Sequence, residues 1–390
     1  MPVSRNDTAR RLILCGLLML GGYSTTFAAT LRVGPGETIT RIAEAARLAR
    51  DGDTVEILSG TYRGDVAVWT QKQLVIRGIG QRPVLIADGK NAEGKAIWVI
   101  RNGDFRIENI ELRGTRASDR NGAGIRFERG KLTVRHCAFI DNETGLLTSG
   151  SRDAELVIEN SEFSRNGTGD GKTHNLYVGT IARVSVTGSR FHAVNAGHLI
   201  KSRARQNDIR YNFIYDGPEG KGSYEVEFPN GGVATLVGNI IGQGATTQNP
   251  VVVSYGAEGK VWPENSLTLI HNTLINDYFP GAWFLRVHKD RFGTPPQVTA
   301  LNNLTVGRGL FSLAASGEFR GNLPALSFML TAPDILDFSL PGSSPLRFLG
   351  FAIEKLPPAL TPSAEFMLPI GTRPLVPPLQ WLPGALQDRQ

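Results

Sequence analysis

Residues 197–204 read GHLIKSRA, which sets His198, Lys201 and Arg203 close together, with Arg205 just beyond. Upstream, HNLYV carries His174, Asn175 and Tyr177; downstream, YEVEF carries Glu225 and Glu227. These residue types suit proton abstraction beside a carboxylate. A cation neutralises the acid, and a lysine whose pKa is lowered by a neighbouring guanidinium takes the proton. A histidine or tyrosine then protonates the departing oxygen. A second chemistry is also open. Glu225 and Glu227, two apart on one strand, would be separated by ~7 Å, which suits the acid and base of glycoside hydrolysis.

The candidate catalytic set is therefore Lys201, Arg203, His198 and Glu225, with His174, Asn175, Tyr177 and Glu227 as substrate-binding neighbours. Solvated charges around a turn, and glutamates alternating on an exposed strand, are the bland alternatives. His174, His192 and His198 have no ligand spacing specific for a metal. No cofactor is expected, and calcium stays open where acidic residues converge.

What must position these residues is a repeat. FRIENIELRGT, LTVRHCAFIDN, LVIENSEFSRN, VSVTGSRFHAV, NDIRYNFIYDG, ATLVGNIIGQG, LTLIHNTLIND and VTALNNLTVGR align on Ile110, Cys137, Ser161, Ser189, Asn212, Asn239, Asn272 and Asn303, at intervals of 27, 24, 28, 23, 27, 33 and 31 residues. Periods of this size with short Val/Ile/Leu/Phe runs bounded by Gly, Asn and Asp indicate a β-solenoid. The asparagines at the end of the column read as a structural ladder, each amide bonding the next coil. Cys137, in the same column beside His136, reads as a buried thiol with no catalytic part.

The run VGPGETITRIAEAARLARDGDTVEILSGTYRG places Ile39, Ile42, Ala46 and Ala49 on one helical face. It resembles the N-terminal cap of the pectate-lyase-like right-handed parallel β-helix superfamily. PDILDFSLPGSSPLRFLG and the final LPGALQ are similar to closing segments of many members. The resemblance implies an all-β fold: a single-stranded right-handed parallel β-helix with a short N-terminal capping helix. The expected organisation is a signal peptide over 1–28, the β-helix over 29–310 and an irregular Pro-rich C-terminal cap over 311–390. Members include lyases for acidic polysaccharides that use Lys and Arg on one face, and KSRARQNDIRYN is loosely similar to a lysine-bearing turn in alginate and chondroitin lyases. No matching second arginine stands at the expected place in the next coil.

Counting back eleven residues from Ser189, Asn212 and Asn239 aligns HNLYV, GHLIK and YEVEF. Leu176, Leu199 and Val226 then point inward. Asn175, His198 and Glu225 form one outward column, and Tyr177, Ile200 and Glu227 another. Strict alternation would bury Lys201, which is costly for an unpaired ammonium. Lys201, Ser202 and Arg203 are therefore expected in the following turn, beside the same face. The insert SRNGTGDGKT is expected to form a rim.

Arg5, Arg10 and Arg11 ahead of a short apolar run ending in small residues have the layout of a secretory signal, with cleavage before Ala29, so a periplasmic or secreted protein is expected. The run Leu12 to Leu20 is shorter than the ~20 apolar residues of a membrane helix, and no membrane insertion is expected. After cleavage Cys137 is the one cysteine, which excludes an intrachain disulfide, and 39 basic residues stand against 35 acidic. That mild bias favours an anionic partner. Nucleic-acid modules, phosphate loops and nucleophile elbows are absent. The expected partner is an anionic polysaccharide, cleaved by β-elimination or epimerised at C5. A non-catalytic glycan-binding or assembly protein is the alternative, and a hydrolase using Glu225 and Glu227 is another.

Overall fold

The computed structural model describes residues 28–312, 315–350 and 356–387. The expected signal segment lies outside the described residues, save Ala28. Short strands separated by turns wind into a parallel solenoid whose inner coils each give one strand to each of three sheets. The first sheet runs from Thr30–Val33 to Gly317–Arg320, the second from Ala67–Trp69 to Gly309–Leu310, and the third from Thr61–Arg63 to Leu323–Ala325. The fold is the expected all-β parallel β-helix. Coils continue past residue 310, to Ala325.

Alternation explains the interior. In Lys131–Arg135 and Glu155–Glu159, Leu132, Val134, Leu156 and Ile158 are buried while the residues between them face out. Phe139, Phe163 and Phe191 stack through successive coils with ring centroids 4.6 and 4.7 Å apart. At the corner leading into the third sheet, the residue before each repeat anchor takes left-handed backbone, with φ between 48° and 64° from Asn109 to Asn302. That sharp turn directs the following side chain inward. The Nδ2 groups of Asn212, Asn239 and Asn272 donate to Oδ1 of Asn239, Asn272 and Asn303 at 3.0, 2.9 and 3.0 Å. The same NH2 groups also donate to strand carbonyls, so these buried groups are satisfied. Cys137 is buried in this column, and burial pushes its thiol up to about 12.

The helix Ile42–Leu48 covers the open end of the first coil with Ile42, Ala45 and Ala46, and Ala49 follows it inward. Its N-terminal N–H groups at Ile42 and Ala43 donate to the carboxylate of Asp65, 2.6 and 3.0 Å away. Such acceptors are what a helix start lacks within itself. The C-terminal segment lies along the third sheet: Phe338, Leu340, Phe366 and Ala385 pack with Phe213, Tyr215, Ile240 and Leu304. The described residues of the tail pack on the third sheet, and the outer face of the second sheet carries the polar cluster.

Candidate functional site

The register of the second sheet differs by one residue from the sequence expectation. Leu176 pairs with Ile200 and Ile200 with Val226, while Tyr177 pairs with Lys201 and Lys201 with Glu227. The cause is a short turn. Three residues link Ser202 to Gln206, where four link Val178 to Arg183 and Phe228 to Val233. Counting back a fixed eleven residues therefore slips in this coil, and a one-residue slip exchanges the two faces of a strand. Lys201 is in the strand Ile200–Ser202 and points outward; Ile200 points inward.

Tyr177, Lys201 and Glu227 thus form one outward column, spaced by the ~4.8 Å between strands. Ser254 and then Arg286 continue it. A second column precedes the strands. The rings of His174 and His198 stack at 4.5 Å, and Tyr224 follows at 5.1 Å from His198. His198 therefore sits between His174 and Tyr224, and the expected Asn175–His198–Glu225 column is corrected.

Asn175 and Glu225 occupy the corner before the strand, where side chains turn inward, and both are fully buried. Asn175 is a ladder residue: its Oδ1 accepts from Asn166 at 2.8 Å and its Nδ2 donates to the His192 carbonyl at 3.1 Å. Among the described residues, Glu225 has no hydrogen-bond partner for either carboxyl oxygen. Burial, with the nearby Asp216 carboxylate, holds its carboxyl well above the usual range. Glu225 and Glu227 consequently face opposite sides of the sheet.

On the outer face the charges interlock. Lys201 Nζ lies 3.1 Å from Glu227 Oε2 and 3.3 Å from Glu258 Oε1. Arg203, just past the strand, grips Glu258 with both terminal nitrogens, Nη1 to Oε2 at 2.6 Å and Nη2 to Oε1 at 2.9 Å. Its Nε donates to Tyr177 Oη at 3.0 Å, and Nη1 also donates to Asn230 Oδ1. Arg205 turns away to pair with the exposed Glu264.

Backbone contacts set the histidine tautomers. The His198 N–H donates to His174 Nδ1 at 3.0 Å, and the Tyr224 N–H donates to His198 Nδ1 at 3.2 Å. An accepting Nδ1 puts the proton of a neutral ring on Nε2. In His198 that atom lies 3.1 Å from Glu227 Oε2. Burial drives both imidazoles below the ordinary histidine range, His174 well below it. For Glu227, burial alone would raise the carboxyl, but His198 and Lys201 reverse this and hold it below the usual carboxylate range. Glu258 is lowered chiefly by its hydrogen bonds with Arg203.

Beside Tyr177 and His174 opens a cleft of about 420 Å³, also lined by Asp119, Arg120, Asp170 and Lys172. The insert SRNGTGDGKT supplies one of its walls through Asp170, Lys172 and Thr173. The sequence reading missed Tyr224, Asn230, Glu258 and Arg286. Tyr224 opens the quoted YEVEF and had a signal in the His174–His198 periodicity; the others reach the face from turns and coils of unequal length. Among the described residues, no group of three or more His, Cys, Asp or Glu is placed to hold a metal ion. No helix among them is long and apolar enough to cross a membrane.

The sequence matches no protein-family model and no curated protein. Among solved structures, pectate lyase Pel9A superposes with a TM-score of 0.60 at 13% identity, over 85% of this chain and 94% of that one. An alginate lyase from Paenibacillus sp. str. FPU-7 superposes with a TM-score of 0.50 at 14% identity, over 76% of this chain and 99% of that one. The chain has the pectate-lyase-like right-handed parallel β-helix fold. These β-helix neighbours are polysaccharide lyases, and at such identities the likeness is one of fold. The outer face of the second sheet is this β-helix's own arrangement of Tyr177, Lys201, Arg203 and Glu227.

Proposed function

We propose that this protein acts on a uronate-containing polysaccharide by removing the C5 proton, with β-elimination as the outcome. The observation that carries the reading is the outward column Tyr177–Lys201–Glu227 flanked by Arg203. It supplies a cation, an amine and a phenol on one open face of a β-helix whose neighbours in fold are a pectate lyase and an alginate lyase.

In this reading Arg203 takes the sugar carboxylate and makes the adjacent C–H more acidic. Lys201, its ammonium having given a proton to solvent, takes the C5 proton as the neutral amine, with the ionised Glu227 3.1 Å away holding it in place. The electron pair forms the C4–C5 double bond as the C4–O bond breaks. Tyr177 protonates the departing oxygen: its Oη already accepts from Arg203, which leaves its own proton to donate outward. His198 is the poorer donor, because its ring is buried and its Nε2 lies against Glu227, 3.1 Å from Oε2. Tyr177 regains its proton from solvent, and Lys201 gives up the one it took, to reset the site. Hydrolysis by Glu225 and Glu227 is disfavoured, since Glu225 is inside the coil and out of reach of a sugar.

Export to the periplasm or beyond belongs to the same proposal and rests on the N-terminal leader read from the sequence. Sequencing the N-terminus of the protein from its host tests it. The function is tested by incubating the protein with a panel of uronate polymers, with and without a chelator to decide whether calcium takes part. A lyase gives an unsaturated product absorbing in the near ultraviolet, whereas an epimerase changes monomer composition without cleavage. Reducing ends without absorbance would restore the hydrolase. Binding that Lys201→Ala removes, with no turnover, would make the protein a glycan-binding or assembly protein.

A further inference from the structure

The carboxylate of Glu258 differs from that of Glu227 in how it reaches the cluster. Glu227 rises from the sheet itself and its side chain is 4% exposed, whereas Glu258 comes from a turn above the sheet and is 44% exposed. Its two oxygens meet the two terminal nitrogens of Arg203 in a fork, and one of them also meets Lys201 Nζ at 3.3 Å. A planar carboxylate approaching from solvent onto a guanidinium, with an ammonium on its flank, is the arrangement a uronate would make there.

We propose that Glu258 occupies the seat of the substrate's carboxylate, so that a uronate binds by displacing it and an uncharged or esterified sugar cannot. This inference rests on the proposed action on uronates and adds what selects the charged sugar. The exchange needs no loop movement. The turn holding Glu258 is fixed by its own N–H donating to the Pro229 carbonyl at 2.8 Å and by the Gly259 N–H donating to the Gly256 carbonyl at 3.1 Å. Both glycines take left-handed backbone, with φ of 84° and 81°. Rotation of one exposed side chain empties the seat.

The displaced group and the incoming one carry the same charge, so Arg203 and Lys201 exchange one carboxylate for another. A neutral ligand would leave Arg203 without its counter-charge and has nothing to offer in return. Glu258 thereby lowers the affinity for every carboxylate by the fraction of time it leaves the seat free.

The test compares wild type with Glu258→Gln and Glu258→Ala, using calorimetry with glucuronate, its methyl ester and glucose as probes. Both variants should bind glucuronate roughly tenfold or more tightly than wild type. Glucose and the ester should bind no better to the variants than to wild type. Circular dichroism and thermal unfolding confirm that the variants are folded; should Ala perturb the turn, the isosteric Gln variant decides. Unchanged or weaker glucuronate binding in the folded variants overturns the inference, and so does tighter binding that the ester and glucose share. Absence of glucuronate binding in both variants overturns it as well, because the vacated fork should then hold a carboxylate. Turnover of uronate polymers by wild type is scored separately: turnover with unaltered Glu258→Gln binding sinks this inference alone. Glucuronate binding without turnover of any polymer sinks the lyase reading and leaves the seat standing.

Discussion

Nε2 of His198 lies 3.1 Å from Oε2 of Glu227, while the Tyr224 N–H donates to the opposite ring nitrogen at 3.2 Å. The backbone thus decides which nitrogen of His198 carries the proton, and that nitrogen lies beside a carboxylate also held by Lys201. His198 acts through Glu227 and is a positioning residue. Its closeness helps to hold the Glu227 carboxyl below its usual range, against the effect of burial. In His198→Ala that help is lost, so the acid limb of the kcat/KM profile should move to higher pH, with a drop of about ten- to a hundredfold at the optimum. A smaller rate with an unmoved acid limb would show that His198 only fills space.

Lys201 and Tyr177 stand side by side on the outward column, and neither fills the core. Lys201→Ala should lower kcat by about a thousandfold or more, and Tyr177→Phe by about a hundred- to ten-thousandfold, the range for a lost proton-transfer group. Thermal midpoints should barely change. Rate measurements on the polymer that wild type cleaves check both. If Tyr177→Phe retains full activity, the leaving oxygen is protonated by another group.

The fold was legible because its signals are local and repeated. The asparagine column recurs, a turn precedes each anchor, and the apolar face of Ile42 and Ala46 marks the cap. The site was legible in its residue types and less so in their directions. His174, Tyr177, His198, Lys201, Arg203 and Glu227 do meet on one face, yet Asn175 and Glu225 face inward. A turn one residue shorter before Gln206 shifted the count, and nothing local to GHLIKSRA announces that deletion. Glu258 and Arg286 were invisible for a related reason. Glu258 lies 55 residues beyond the Arg203 that it holds, and Arg286 joins the column one coil beyond Ser254, across coils whose lengths vary by several residues.

Glu225 offers a prediction about stability. Its carboxyl is buried without a hydrogen-bond partner and held well above the usual range, so it folds in the protonated form. Because the folded pKa is raised, ionisation in the unfolded chain favours unfolding as pH climbs through and above the ordinary carboxylate range. Glu225→Gln removes that penalty. The variant should be more stable than wild type at neutral pH, by about 1 to 3 kcal/mol, and the gain should vanish below about pH 4. Denaturant unfolding at the two pH values checks this. Turnover should survive the substitution, and its loss would show that Glu225 serves the outer face after all.

The C-terminal tail carries the last prediction. His271 is buried beneath it, with Nδ1 3.3 Å from the Gly384 carbonyl oxygen and Nε2 3.2 Å from Asn302 Nδ2. Burial lowers its pKa to about 4, so the ring folds neutral. The unfolded ring protonates near the ordinary value of 6.5, where the folded one does not. Stability is therefore complete above that value and falls as pH drops from there towards 4, by about 3 kcal/mol in all from this one group. The tail that covers the third sheet is the part most directly exposed to the loss, since Gly384 and Gln387 lie against the ring. His271→Gln, which stays neutral throughout, should flatten the acid limb of the stability profile between pH 6.5 and 4. Hydrogen exchange should place the acid-induced opening of wild type first in residues 381–387. An acid limb of unaltered slope in the variant would assign the sensitivity to His174 and His198 at the outer face instead.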